Sequence, residues 1–199
     1  MSGTSTKEKI IYEALKLFSE ESYDSVSVRD ISSAVGIRES SLYYYFKNKR
    51  EIFDAVISKC EKRTEEHFLN LTNPFCSENG GIYSKVSEEK LIMVAISVMN
   101  FYMTDEFSRL FRRMLVIGQF SDDRLKSCYR NIFIRQPEEF FTRLFGAMND
   151  NVLSPRSAAR AFYSPLYLIL NESDSIAEAL PKIKEHILTF VGLYVKRLK

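Results

Sequence analysis

The stretch SVSVRDISSAVGIRESSLYYYFKNKREIFDAVI, residues 25–57, holds the strongest local signals in this chain of 199 residues. Ser27 offers a side-chain acceptor to a free amide at the start of a helix, and Asp30, three residues on, is a shortened version of the capping-box acid. Gly36 closes that helix, because glycine tolerates the left-handed backbone of a tight helix end. The next helix, about Glu39 to Phe46, sets Leu42 and Phe46 four apart on an inward face and leaves Ser40, Ser41, Tyr43, Tyr44 and Tyr45 largely outside. Asn48 then caps a long fourth helix with Ile52, Phe53, Val56, Ile57 and Cys60 along one side. Upstream, Ile10, Ile11, Ala14, Leu15 and Phe18 mark the first helix.

Short helices joined by a glycine turn make a helix-turn-helix arrangement, whose third helix can lie in the major groove of DNA. The side chains suit that placement. Residues 37–50 carry four basic groups against one acidic, although residues 1–50 as a whole hold eight against seven. Lys47 and Lys49 flank Asn48 where the free amides of the fourth helix begin, a site for phosphate. Tyr43 and Tyr45 can give hydroxyl hydrogen bonds to phosphate oxygens, fixing register without reading sequence. Arg38, Ser40 and Tyr44 are placed for base edges: arginine for guanine, serine for several bases, an aromatic ring for a thymine methyl.

On these residues the segment resembles the DNA-binding part of the TetR (tetracycline repressor) family of bacterial transcription regulators. The resemblance spans residues 7–58. It rests on Phe18 and Tyr23, SVRDIS at 27–32, Ala34-Val35-Gly36-Ile37, and Leu42 to Lys49. It implies an all-α chain: an N-terminal three-helix helix-turn-helix DNA-binding domain, residues 1–50, joined by a long helix to a helical effector-binding and dimerisation domain, residues 51–199. Residue by residue it implies Ser27 and Arg29 at DNA from the second helix, and Ser41, Tyr43, Tyr45 and Lys49 on phosphates. Arg38 stands where many members carry a serine or threonine cap, and Ser40 where many carry glycine. Regulators of this kind are most often repressors released from DNA by a small molecule.

Beyond Pro74, Gly80 and Gly81 in the break at residues 72–81, the pattern stays helical over about 88–103, 105–118, 122–150 with a start or kink at Pro137, 155–171 and 176–198. Pro165 and Pro181 fall inside apolar helical patterns and are expected to kink them or mark a restart. Met93, Met99, Tyr102, Met103, Phe107, Phe111, Met114, Tyr129 and Phe133 could line an adaptable pocket for an apolar or aromatic effector. Phe162, Leu166, Ile169, Ile187, Val191, Tyr194 and Leu198 form stripes on the last two helices. Meeting their copies, they would make a four-helix homodimer interface. Two recognition helices about 34 Å apart then predict a palindromic double-stranded DNA operator.

Composition narrows the alternatives. At 45% hydrophobic and 13% aromatic, with 7 Gly and 5 Pro, the chain is neither disordered nor collagen-like. No run approaches a membrane span, and MSGTSTKEK carries no secretory signal, so a cytoplasmic location is expected. Cys60, Cys76 and Cys128 lie far apart with no CxxC pair. His67 and His186, the two histidines, lack metal-ligand spacing, so neither a metal nor a catalytic residue nor a cofactor is expected. An all-helical enzyme is the more distant rival. A dimeric helical small-molecule-binding protein without DNA recognition is the nearer one.

Overall fold

The computed structural model describes residues 5–72, 88–147 and 154–195. Their regular elements are helices: α1 (Thr6–Glu20), α2 (Val28–Val35), α3 (Glu39–Tyr45), α4 (Lys49–Thr72), α5 (Glu88–Thr104), α6 (Glu106–Gly118), α7 (Asp123–Arg130), α8 (Gln136–Gly146), α9 (Pro155–Glu172) and α10 (Ile176–Phe190). A wider, π-type turn, Asn131–Arg135, joins α7 to α8, and a second, Val191–Val195, extends α10. The all-α expectation holds. From residue 73 on, the expected break at 72–81 lies outside the described residues, as do Cys76 and Leu198.

Packing divides the chain into two compact units, Met1–Thr64 with Glu106–Tyr129, and Glu65–Asp105 with Arg130–Lys199. The first unit therefore includes α6 and α7 as well as the helices of residues 1–50. Its core gathers Ile10, Ala14, Leu15, Phe18, Ile31, Leu42, Ile52, Phe53 and Val56, all buried. At its centre the Phe18, Tyr23 and Phe53 rings meet with centroids 4.6–5.7 Å apart. Removing one such ring from a core costs about 3–5 kcal/mol. α6 lies along α1, and Gly118, the last residue of α6, faces the tip of the Leu125 side chain on α7.

In the second unit α8 packs along α9, and α10 against α5 and α9. Phe162 is the hub, its centroid 4.9 Å from Phe141, 5.5 Å from Phe145 and 5.0 Å from Phe190. This position bears on the expected dimer stripe, most of which is buried within one chain. Phe162, Leu166 and Ile187 are fully buried, and Ile169 and Val191 buried, inside a single chain, while Tyr194 is half-buried. A long, nearly all-apolar helix reads alike whether its partners are its own neighbours or a second subunit. Here its own neighbours take the stripe, and the exposed apolar side chains are Leu168, Leu188 and Leu193. α9 and α10 also run through Pro165 and Pro181 without the expected restart.

The expected kink near Pro137 is the π-type turn. Widening a helix by one residue leaves carbonyls without their usual amide partners. Two buried tyrosines supply the donors: the Tyr102 hydroxyl donates to Ile132 O at 3.1 Å and the Tyr163 hydroxyl to Phe133 O at 2.8 Å. Burial raises the Tyr102 phenol well above its ordinary pKa, so the hydroxyl stays protonated and donating.

Candidate nucleic-acid interface

α3 is positioned by what surrounds it. Upstream, Ser27 and Asp30 cap α2 reciprocally: Asp30 N donates to Ser27 Oγ at 3.1 Å, and Ser27 N donates to Asp30 Oδ2 at 2.8 Å. The Ser27 hydroxyl and the Ser27 amide, both donating to it, hold the Asp30 carboxyl below its ordinary pKa. Gly36 ends α2 at φ 78°, a left-handed backbone, with Ile37 N bonded to Ser32 O at 3.0 Å. Downstream, Asn48 Oδ1 accepts from Glu51 N at 2.9 Å, and Lys47 N donates to Glu51 Oε2 at 2.9 Å. α3 therefore stands between two tight turns, with Leu42 buried beneath it.

Its other faces are open. Tyr44 is 85% exposed and Tyr43 is 48% exposed, and Arg38, Ser40, Ser41 and Lys47 are exposed beside them. Tyr45 is half-buried, its ring 5.2 Å from that of Tyr44 in an edge-to-face pair. The Tyr43 hydroxyl lies 3.4 Å from Glu39 Oε1. Arg38 occupies the N-cap position of α3 with no side-chain capping bond, so the helix begins at Glu39 without the serine or threonine that the resemblance favours there.

Three basic or polar groups behave differently from the rest. Lys49 Nζ donates to Tyr23 O at 2.8 Å and to Val26 O at 2.9 Å, and lies 4.2 Å from the centroid of the Tyr23 ring. It ties the start of α4 to the α1–α2 connection, and only one of its three protons is left for a phosphate. The Ser27 hydroxyl donates to Asp30 Oδ2 at 2.6 Å, so binding a phosphate oxygen through that proton means leaving the carboxylate. Arg29 stays exposed on α2. A further lysine was not singled out from sequence: Lys9 Nζ donates to Val35 O at 2.8 Å, holding the end of α2 from α1. No spacing rule finds a bond between residues 26 apart, and both lysines read as surface charge until the fold brings the carbonyls to them.

The residues expected to line an effector pocket are divided between the units. Met99, Tyr102 and Phe133 are buried in the second unit, where the Tyr102 and Phe133 rings meet at 4.9 Å; Met103 is half-buried and Met93 exposed. In the first unit Phe111 and Met114 are buried and Tyr129 half-buried, and Phe107 stacks near Tyr12 beneath the Lys59 and Arg63 cations. Met114 borders a cavity of about 240 Å³ in the first unit, together with Phe18, Tyr23, Arg50, Phe53 and Asp122. Among the described residues no helix is long and apolar enough to cross a membrane, and no three His, Cys, Asp or Glu side chains group to hold a metal ion.

Residues 10–56 match the family model for bacterial regulatory proteins of the tetR family. Over 54 residues the chain is 46% identical to the biofilm operon icaADBC HTH-type negative transcriptional regulator IcaR of Staphylococcus epidermidis, a match spanning 27% of this chain and 29% of that protein. Against IcaR of Staphylococcus aureus the identity is 22% over 198 residues, covering 96% of this chain and 100% of the other. Among solved structures, SmeT, the repressor of the Stenotrophomonas maltophilia multidrug efflux pump SmeDEF, superposes with a TM-score of 0.65 at 17% identity, covering 96% of this chain and 90% of that one. A SmeT–triclosan complex gives 0.68 at 17% identity, covering 95% and 91%. The structural likenesses speak to the fold, and the strongest sequence likeness falls on the capped, glycine-turned segment that presents α3. Over residues 10–56 the chain resembles the tetR family of bacterial regulatory proteins.

Proposed function

We propose that this protein is a dimeric repressor that reads a palindromic operator through α3 and leaves it when a small apolar or aromatic molecule binds. The observation that carries this reading is the exposure of Tyr43 and Tyr44 on a helix clamped by turns at both ends. A large aromatic side chain fully open to water, beside Arg38, Ser40, Ser41 and Lys47, has no work to do in the core. On a duplex, Tyr43, Ser41 and Lys47 would position the helix on phosphates, and Arg38, Ser40 and Tyr44 would meet base edges. Arg29 adds a phosphate contact from α2, whereas Ser27, Tyr45 and Lys49 act chiefly by holding the head together. Dimerisation uses the exposed Leu168, Leu188 and Leu193 in place of the buried stripe. The repressor role of the IcaR relatives and the triclosan bound by SmeT support a small-molecule-released repressor.

Fluorescence polarisation with the DNA flanking the protein's own gene tests the reading. Specific binding is expected, and Tyr44→Ala should weaken it roughly 5- to 100-fold, the range of one good base contact. Binding to that DNA no tighter than to an unrelated duplex, with the folded dimer in hand, would exclude it.

A further inference from the structure

Two polar atoms of the second unit are buried with no hydrogen-bond partner among the described residues: Nε2 of His67, on α4, and Oε1 of Gln136, the first residue of α8. Buried polar atoms in folded proteins are nearly always paired, and an orphan needs an explanation. The His67 ring belongs to an aromatic network that reaches the helix carrying Gln136. The His67 ring stacks flat on Phe101, centroids 4.1 Å apart at 8°, and meets Phe68 edge-on at 5.9 Å. Phe68 in turn lies 5.5 Å from Phe140, one turn beyond Gln136. On the other side, Phe101 lies 5.3 Å from Tyr102, whose hydroxyl holds the π-type turn that delivers Gln136. Such turns re-aim the residues that follow them and recur at functional sites.

We propose that His67 and Gln136 are the polar contacts of the effector site, and that the effector is an uncharged aromatic compound carrying a phenol-type hydroxyl. This inference rests on reading the chain as an effector-responsive regulator. Gln136 Oε1 can only accept, so its partner must bring an O–H or N–H. Neutral imidazole with its proton on Nε2 donates there, and one hydroxyl then serves both atoms, giving its O–H to the glutamine and accepting from Nε2–H. Burial holds the His67 imidazole below its ordinary pKa, only partly offset by Asp105, so neither atom supplies the cation that a carboxylate would need. The surrounding rings favour an aromatic body.

The test compares 1-naphthol with 1-methoxynaphthalene, the same ring system without the O–H donor, by isothermal titration calorimetry on the full chain. Parent protein should bind 1-naphthol about 3- to 10-fold more tightly, the size of one buried hydrogen bond. Gln136→Leu should shrink that preference towards unity while leaving 1-methoxynaphthalene affinity unchanged, and His67→Phe, which keeps the stack on Phe101, should weaken both compounds, because the ether oxygen also accepts from Nε2–H. Because each variant removes an unpartnered polar atom, neither should melt below the parent without ligand. An undiminished preference in Gln136→Leu, unweakened binding in His67→Phe, no binding of 1-naphthol by the parent, or a melting point lowered by several degrees would each overturn the assignment. A parallel polarisation arm with operator DNA separates the two readings. Release of DNA by 1-naphthol that persists in both variants overturns the pair and spares the effector reading. A preference that behaves as expected without any release of DNA upholds the pair and removes the effector reading.

Discussion

The two units differ in the reach of the hydrogen bonds that shape them. Around α3 the shaping bonds are mostly short in sequence: Ser5 to Glu8, Ser27 with Asp30 and Asn48 to Glu51 each span three residues. In the second unit the bonds that fix the α7–α8 junction, Tyr102 to Ile132 and Tyr163 to Phe133, each span thirty. A bond between near neighbours leaves its signature in the spacing of serine, asparagine and acid. One between distant residues leaves no trace until the chain has folded. The turns around α3 are therefore specified locally, with Lys9 and Lys49 as long-range fasteners, and the α7–α8 junction by assembly.

That contrast can be broken at several depths. The largest effect is expected from Phe53→Ala, which removes the ring joining Phe18 and Tyr23: a loss of about 3–5 kcal/mol, read as early loss of amide-exchange protection in α1 and α2. Local capping should not rescue the head from that loss. If it does, the core matters less there than the geometry implies. Next, Tyr163→Phe leaves Phe133 O buried without its donor and should cost about 1–3 kcal/mol, with faster exchange confined to the π-type turn and the start of α8. Protection unchanged along residues 131–137 would mean the widened turn holds itself. The smallest effect belongs to Ser27→Ala, about 1 kcal/mol for a lost cap. It also carries a pH signature. The Asp30 carboxyl is held below its ordinary value by Ser27, so its contribution is present at neutral pH and disappears as pH falls through that lowered value. Circular dichroism during acid titration should show the parent gaining less from Asp30 at the acid end, and Ser27→Ala flattening the dependence.

What could be read without coordinates follows the same line. The caps at Ser27 and Asn48, the left-handed Gly36 and the outward Tyr43 and Tyr44 all followed from spacing within a few residues. The engaged state of Lys49 and Lys9 was not legible, because their partners are backbone carbonyls more than twenty residues away. The burial of the expected dimer stripe was not legible for another reason. Phe162 packs on Phe141, Phe145 and Phe190 and Ile187 is buried within one chain, and periodicity reports that a face is apolar without naming what covers it. His67 and Gln136 carried no spacing signal at all; their interest lies in hydrogen bonds they do not make inside the described fold.

The commitment of Lys49 to two carbonyls reaches into solution behaviour. Each lysine or arginine that displaces a condensed cation from a duplex steepens the fall of affinity with ionic strength by close to one logarithmic unit per contact. A tally of positive residues near α3 would overstate that steepness, because Lys49 and Lys9 are occupied as fasteners of the polypeptide. Each half of a symmetric complex should release ions in proportion to Arg29, Arg38 and Lys47, and the measured gradient would thus separate the charges that meet the nucleic acid from those that merely keep its reader in shape.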